Sequence, residues 1–294
     1  MTQNTAPPYS PPSPSPDLPP LREVVRSHGL DARKALGQHF LLDMNITRKI
    51  ARLATLDAGD TVIEVGPGPG GLTRALLEIG ARVTVIERDQ RCLDLLAELG
   101  AAYEGQLTIR NEDALRTDYA ALLPANGTGH LISNLPYNIS TQLLTGWLSA
   151  HQGRWQRMTL MFQKEVADRI LAPPGDKTYG RLSVLSQSAA GVRRGFDLPA
   201  RAFTPPPKVA SSVVVFDQIT TPLAPLGTLE AVTRAAFSQR RKMLRTTLKP
   251  VFGTQTQAVL TAAGIDPATR AEQVSVAQFS GLAHVARDRA SAGN

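Results

Sequence analysis

The chain has 294 residues, of which 42% are hydrophobic and 19% are charged, a composition typical of a soluble globular protein. A chain of this length is expected to form one large domain with a smaller one, or two domains. Lys and Arg number 32 against 25 Asp and Glu, and this net charge of +7 favours a polyanionic partner, although charge also serves solubility. A single cysteine, Cys92, excludes an intrachain disulfide framework and a multi-cysteine zinc site, and no apolar run reaches the roughly 18 residues of a membrane span.

The first twenty residues, MTQNTAPPYSPPSPSPDLPP, hold 8 of the 22 prolines of the chain. Proline cannot donate to a hydrogen-bonded ladder, so segment 1–20 is predicted to be a disordered or polyproline-like tail outside the fold. It lacks the basic and apolar regions of a secretory signal. A docking site of the PxxP type is the alternative to a solvated tail.

From residue 21 onwards, short apolar runs alternate with helical segments. The strand-like runs are TVIEV (61–65), VTVIE (83–87), LTIR (107–110), HLIS (130–133), MTLMFQ (158–163) and SSVVVFD (211–217). The helical segments between the first five are 72–79, 91–99 and 141–150. Near-continuous apolar runs predict parallel strands buried on both faces, joined as βαβ units. Residues 21–220 are therefore predicted to form a doubly wound, Rossmann-like α/β domain.

Residues 221–294 show no strand signal, whereas 229–249, 255–263 and 274–289 have helical patterns, which predicts a small all-α domain. This part holds 9 Lys and Arg against 4 acids, so +5 of the net +7 lies in a quarter of the chain. Five cations recur at helical spacing in the first of these helices. They are predicted to hold phosphates, the alternative being a solvated basic face. These residues are Arg240, Arg241, Lys242, Arg245 and Lys249.

A glycine-rich loop, EVGPGPGG (64–71), joins the first strand of the sheet to a helix, and Gly66, Gly68 and Gly71 satisfy the pattern GxGxxG. Glycines there allow a tight turn and the close approach of a ligand, which predicts a nucleoside cofactor. The two loop prolines remove backbone N–H groups that a pyrophosphate needs. They therefore favour phosphate-free S-adenosylmethionine over a nicotinamide or flavin dinucleotide. A glycine turn without a ligand is the remaining alternative.

Two acids follow the next strands at the same edge of the sheet. Glu87 comes 21 residues after Gly66, the spacing at which an acid binds the ribose hydroxyls of a nucleoside cofactor. Asp113 follows the third strand, where it can meet the adenine amine or simply cap a helix.

The tetrapeptide Asn134-Leu135-Pro136-Tyr137 follows the fourth strand. The exocyclic amine of adenine is a poor nucleophile because its lone pair is delocalised into the ring. The Asn134 side-chain oxygen and the Leu135 carbonyl can accept hydrogen bonds from this amine and draw it toward tetrahedral geometry. Pro136 would fix the turn, and Tyr137 can stack on an extruded base. An isolated N-x-P-Y match is usually only an Asx or proline turn, but this position predicts methyl transfer to an amine.

Nine segments resemble the small-subunit ribosomal RNA adenine N6-dimethyltransferases, over nearly the whole chain after the tail. They are KALGQHFLLD (34–43), EVGPGPGGLT (64–73), VIERD (85–89), EDAL (112–115), NLPYNIS (134–140), MFQKEVADRI (161–170), YGRLSVLSQ (179–187), AFTPPPKVASSVV (202–214) and AFSQRRKMLRTTL (236–248). The related antibiotic-resistance dimethyltransferases of large-subunit RNA share the glycine loop and the NLPY-type motif. The AFTPPPKV and QRRK segments favour the small-subunit family.

The resemblance implies a Rossmann-like methyltransferase that uses S-adenosylmethionine, releases S-adenosylhomocysteine and needs no metal. The implied reaction is dimethylation of N6 of two adjacent adenosines in a hairpin loop near the 3′ end of 16S rRNA. The implied partner is this RNA within the 30S subunit or its precursor, so the role is in ribosome biogenesis. A cytoplasmic monomer without membrane contact is expected, in which 221–294 binds RNA.

The resemblance also assigns roles to individual residues. The residues implied for cofactor binding are His39, Leu41, Gly66, Gly68, Glu87, Asp113 and Asn134. The residues implied for catalysis are Asn134, Leu135, Pro136, Tyr137 and Phe162. Many relatives have Asn where this chain has His39. The effect of this exchange on cofactor binding depends on whether residue 39 contacts the cofactor through its backbone or its side chain. Phe162 is either the second aromatic wall of the base pocket or a buried strand residue.

Two other functional classes remain open at the level of sequence. A non-enzymatic ribosome-assembly factor would need no intact cofactor site, and the presence of Glu87, Asp113 and Asn134 weighs against it. An oxidoreductase that uses a dinucleotide is disfavoured by the loop prolines and by the NLPY tetrapeptide.

Overall fold

The computed structural model describes residues 17–30, 38–125, 127–150, 154–219 and 223–292. Of the predicted tail, residues 1–16 lie outside the described residues, and residues 17–20 have neither helix nor strand. The strands of the described part are β1 Phe40–Leu41, β2 Thr61–Val65, β3 Arg82–Glu87, β4 Leu107–Asn111, β5 Gly129–Asn134, β6 Trp155–Gln163, β7 Ala190–Leu198, β8 Phe203–Thr204 and β9 Ser211–Gln218.

The helices cover both the α/β part and the C-terminal quarter of the chain. They are α1 Leu21–Ser27, α2 Met44–Leu53, α3 Gly71–Leu77, α4 Gln90–Ala102, α5 Tyr119–Leu122, α6 Ser140–Ala150, α7 Lys164–Leu171, α8 Arg181–Ala189, α9 Leu226–Ala236, α10 Leu244–Thr247, α11 Lys249–Phe252, α12 Thr256–Ala262 and α13 Val276–Ala292. Within the described residues, no helix is both long and apolar enough to cross a membrane.

Seven strands form one sheet in the order β4-β3-β2-β5-β6-β9-β7, and β1 pairs with β8 in a separate two-stranded sheet. The pairs β2–β3, β2–β5 and β3–β4 are parallel, which confirms the predicted Rossmann-like α/β fold. One edge of the sheet departs from the parallel pattern, because β7, a strand that was not predicted, runs antiparallel to β9. The sequence did not reveal β7 because AGVRRGFDL, with two arginines and only its two end residues buried, lacks the apolar run of a buried strand.

By compactness, the chain divides into two units. The first contains residues 1–136, 158–160 and 199–208, and the second contains 137–157, 161–198 and 209–294. The predicted division into 1–20, 21–220 and 221–294 groups residues by expected role, and it stays a prediction.

In the first unit, strands β2, β3 and β5 form the centre of the core. Val62, Ile63 and Leu131 are completely buried, as the apolar runs predicted. Strand β4 is half exposed because it lies at the edge of the sheet. Its neighbour β3 therefore ends inside the unit, which places Glu87 in a buried position.

In the second unit, the predicted helix 229–249 is wrong in its middle. Helix α9 ends at Ala236, and the chain continues without helix until α10 begins at Leu244. The Leu244 N–H bonds to the Thr269 carbonyl, and Met243 forms a β-bridge with Arg270, so the chain is extended there. The run between the helices, SQRRK (238–242), offers no apolar side chain to bury, so nothing holds it helical. Three of the five predicted RNA-binding cations therefore lie in a turn rather than on a helix.

Candidate active site at the strand ends

The glycine loop after β2 adopts backbone conformations that require glycine. Gly66 has φ +65° and Gly68 has φ +55°, both in the left-handed region. A Cβ atom at Gly66 would lie 3.1 Å from the Pro136 ring, and one at Gly68 would lie 3.0 Å from the Phe40 ring. The loop is thus packed against both the NLPY tetrapeptide and strand β1, as a close-fitting cofactor loop requires.

Glu87 ends strand β3 beside this loop, and its carboxylate is held by backbone donors. One oxygen accepts from the N–H groups of Arg88 (2.8 Å) and Asp89 (2.9 Å), and the other accepts from the Gly68 N–H (3.3 Å). Burial raises the pKa of Glu87, while these N–H donors oppose that shift. A carboxylate oxygen accepts more than one hydrogen bond, so this group can still take ribose hydroxyls.

A second buried carboxyl group, Glu64, lies at the end of strand β2, where it accepts a hydrogen bond from the Thr73 hydroxyl (2.7 Å). Burial raises the pKa of Glu64 to about 8, so this carboxyl is protonated in most molecules at neutral pH.

Asp89 is a polar residue of the site that sequence reasoning missed. Its carboxylate accepts from the Arg91 guanidinium (2.6 Å) and from the Gln38 side-chain amide (3.0 Å). The Arg91 side chain is the main reason that the pKa of Asp89 is lowered to about 2. The bond from Gln38 ties the segment before strand β1 to the end of strand β3. The VIERD segment, with an acid directly before helix α4, was the available sequence signal.

The Asn134 side chain is oriented by a main-chain acceptor. Its Nδ2 donates to the His39 carbonyl (3.1 Å), and because a carbonyl only accepts, the amide group of Asn134 must face it. The Asn134 Oδ1 atom is thereby left to accept from an incoming amine. His39 thus contacts Asn134 through its backbone. The contact of His39 with the cofactor stays a prediction.

The His39 imidazole has a separate role. Its Nδ1 lies 2.8 Å from the Pro205 carbonyl oxygen, which can only accept, so the Nδ1–H group donates a hydrogen bond to this oxygen. Pro205 belongs to the TPPPK run after strand β8, which pairs with β1 through the register Phe40 with Thr204. The His39 carbonyl is therefore fixed from both sides, by the ring of the same residue and by β1.

The other residues of the tetrapeptide differ in environment. The Leu135 side chain is buried, whereas Pro136 is half-buried. In the second unit, the Tyr137 hydroxyl is hydrogen-bonded to the Ser211 hydroxyl (2.6 Å), and burial raises its pKa. Phe162 is fully buried and packs edge-to-face on Phe216 at 6.4 Å between ring centroids, as a core strand residue does. Its role as a wall of the base pocket stays a prediction.

Asp113 makes a local contact, but it caps a turn rather than the helix named as the alternative, because residues 114–116 form a turn and helix α5 begins only at Tyr119. One of its carboxylate oxygens accepts from the Leu115 N–H (3.0 Å), and the other lies 3.7 Å from the Arg88 guanidinium. Binding of the adenine amine by Asp113 therefore stays a prediction.

Comparisons with known proteins decide the family. The sequence profile of the ribosomal RNA adenine dimethylases matches residues 29–288. This chain belongs to the ribosomal RNA adenine dimethylase family. It is 56% identical over 273 residues to the ribosomal RNA small subunit methyltransferase A of Sinorhizobium medicae, which covers 91% of this chain and 97% of the relative. The protein of the same name from Phenylobacterium zucineum is 57% identical over 270 residues, covering 90% and 92%.

Solved structures agree with this assignment to the dimethylase family. A dimethyladenosine transferase from Plasmodium falciparum matches with a TM-score of 0.74 at 27% identity, over 86% of this chain and 98% of that one. The 23S rRNA methyltransferase ErmE matches with a TM-score of 0.65 at 25% identity, over 83% and 98%.

Within this dimethylase, the predicted site residues fall into groups. The first unit brings together four of the predicted cofactor-site residues through direct contacts, namely Gly68 with Glu87 and His39 with Asn134. Leu41 is buried in strand β1, two residues after His39 in the sequence. All five predicted RNA-binding cations belong to the second unit and are exposed. Among the described residues, no cluster of acids, His and Cys has the makings of a metal site.

Proposed function

We propose that this ribosomal RNA adenine dimethylase uses S-adenosylmethionine to dimethylate N6 of two adjacent adenosines in a hairpin loop near the 3′ end of 16S rRNA. The observation that carries the proposal is the Asn134 amide, whose Nδ2 is bound to the His39 carbonyl so that its Oδ1 is presented as an acceptor. The names of the relatives support the small ribosomal subunit as the source of the RNA.

The residues at the strand ends fit the cofactor. The Glu87 carboxylate suits two ribose hydroxyls, and Gly66 and Gly68 have no side chains that would keep the nucleoside away. Asp113 would meet the adenine amine, while His39 and Leu41 would border the methionine part. When bound, this cofactor supplies an activated methyl group on a sulfonium.

The chain's own contribution is to prepare the target amine. The Asn134 Oδ1 and the Leu135 carbonyl accept the two N6–H groups, which draws the nitrogen toward tetrahedral geometry and makes its lone pair available. Pro136 holds the turn between these acceptors, and Tyr137 stacks on the base, with Phe162 as the second wall. A monomethylated amine keeps one N–H, so one of the two acceptors still binds it and the same site acts again.

The RNA is held by exposed cations of the C-terminal part, residues 221–294. Arg240, Arg241, Lys242, Arg245 and Lys249 bind phosphates of 16S rRNA in the 30S subunit or its precursor. We propose that the enzyme acts in the cytoplasm, as a monomer and without a metal.

A transfer assay tests this function. Immature 30S particles are incubated with the protein and methyl-tritiated S-adenosylmethionine, and the RNA is digested to nucleosides. The expected product is N6,N6-dimethyladenosine at two adjacent positions, and the absence of label in adenosine would overturn the proposal. Calorimetric titration with S-adenosylhomocysteine and with NADH is the companion measurement. Binding of NADH alone would point to the oxidoreductase class instead.

A further inference from the structure

The second unit contains a groove that the proposed active site does not use. It lies between helix α9 and helices α10 and α11 and has a volume of about 470 Å³. This volume falls within the range of about 300–1,000 Å³ that small-ligand sites occupy. Ala231 and Ala235, one helical turn apart on α9, line one wall, and Pro250 and Val251 line the other. These side chains give the groove largely apolar walls.

Two polar side chains line the same groove. The Glu230 carboxylate is bound by the guanidinium groups of Arg181 and Arg234, which compensate its charge. Thr247 is 5% exposed, and within the described residues its Oγ1 has no hydrogen-bond partner. The Thr247 Oγ1 atom is enclosed, so an occupant of the groove meets the Glu230 carboxylate rather than this hydroxyl.

The surroundings of the groove are strongly basic. Residues 226–252 contain one acid, Glu230, and six cations. The cations are Arg234, Arg240, Arg241, Lys242, Arg245 and Lys249. In the described part of the chain, Arg241, Lys242 and Arg245 are exposed and form no ion pair. A polyanion is therefore the complementary partner.

We propose that this groove binds one unstacked nucleotide of the ribosomal RNA, away from the target adenosine. The base packs between Ala231 and Pro250, and its N–H edge faces the Glu230 carboxylate. The flanking phosphates meet Arg241, Lys242 and Arg245. The inference rests on the proposed function, which supplies the RNA.

Filling the groove without changing charge tests the proposal. Ala231→Leu is compared with Ala258→Leu, the same change at an exposed position of helix α12 outside the groove. Base stacking contributes about 1–3 kcal/mol, so Ala231→Leu should weaken binding to immature 30S particles about tenfold. Its salt dependence should stay the same, because no phosphate contact is lost. The control variant should bind like the wild type, and equal affinities of all three proteins would overturn the proposal that the groove binds a nucleotide.

Glu230→Gln separates recognition from simple charge attraction. The change raises the net charge by one, so purely electrostatic binding would become tighter. Loss of a carboxylate that accepts base N–H groups makes binding weaker, which is the expected result. Tighter binding of Glu230→Gln would contradict the proposal.

A photo-crosslink identifies the occupant. Ser238→Cys, at the exposed end of the groove, is labelled with benzophenone maleimide, while the native Cys92 is buried and does not react. A crosslink to 16S rRNA supports the proposal, and a crosslink to a ribosomal protein overturns it. If the wild-type protein methylates the particles normally while these results fail, the groove is refuted and the proposed function stands.

Discussion

The strand ends of the first unit and the basic segment 238–249 of the second unit are built in opposite ways. At the strand ends, the side chains of Glu87, Asp89 and Asn134 are each bound to a named partner in the same unit. In the basic segment, the described cations point into solvent, and Arg240 makes its one described contact with the Lys177 carbonyl. The side chains of the first region are held in place by their partners, whereas the second region can bind a partner only through its exposed charges.

This difference has a consequence for mutation. In a preorganised site each acceptor has a fixed task, so removing one atom affects a single step strongly. On a charged surface the cations make similar contributions to binding, and these contributions depend on the salt concentration. The two regions should therefore respond to different experimental variables.

The largest expected effect comes from Asn134→Ala in the preorganised region. Loss of one preorganised partner of the reacting group should lower the rate of methyl transfer by about 10²–10³, by analogy with the loss of an oxyanion-hole donor. Affinity for S-adenosylmethionine should weaken only modestly. Single-turnover kinetics measure the rate, and Asn45→Ala, at an exposed asparagine of helix α2, is the control. A near-normal rate would show that Asn134 does not hold the amine.

In the basic segment, joint replacement of Arg240, Arg241 and Lys242 by Ala is expected to change the salt dependence of RNA binding. Each lost phosphate contact reduces the slope of log affinity against log salt by about 0.9, so the slope should fall by up to about three. Binding to the ribosomal particle should weaken most at low salt, with cofactor affinity unchanged. Binding is measured across a salt series, beside a control in which three exposed arginines of the first unit are replaced. These are Arg22, Arg26 and Arg52. Equal slopes in the two triple variants would show that only net charge matters.

The sequence predicted the centre of the fold better than its periphery. Strands β2, β3 and β5 are continuous apolar runs because both of their faces are buried, and the sequence shows this directly. The break between Ala236 and Leu244 was missed because it depends on backbone bonds to residues 267–270, which no local pattern reports.

The same limit applies to the candidate site. Glu87 and Asn134 were found because each ends a strand, and strand ends of a parallel sheet meet at one edge. Gln38, Asp89 and Pro205 were missed because their roles lie in contacts across 51 residues (Gln38 to Asp89) and 166 residues (His39 to Pro205). Side-chain type and spacing identify a site, but they do not show which backbone groups hold it.

A smaller effect is expected from Glu87→Ala. A charge-assisted hydrogen bond contributes about 1.5–3 kcal/mol, so the dissociation constant of S-adenosylmethionine should rise about tenfold or more. Calorimetry measures this constant. Glu87→Gln keeps one acceptor oxygen for the Arg88 and Asp89 N–H groups and should lose less affinity than Glu87→Ala. An unchanged constant in both variants would place the ribose elsewhere.

The last expected effect concerns stability rather than methyl transfer or binding, and it sharpens the contrast between pH and salt. The pKa of Glu64 is about 8 in the folded protein, above the ordinary value of 4.5, because the group is buried. Its protonated form therefore stabilises the fold fully below about pH 4.5, and this contribution is lost as the pH rises through 8. Between these values the free energy of unfolding should fall by up to about 1.4 kcal/mol per pH unit. Glu64→Gln should remove this slope, while Glu104→Gln, the same change at an exposed acid, should keep it. Urea unfolding at pH 5.5, 6.5 and 7.5 measures the slopes, and parallel curves for wild type and Glu64→Gln would mean that Glu64 is already ionised in the folded protein.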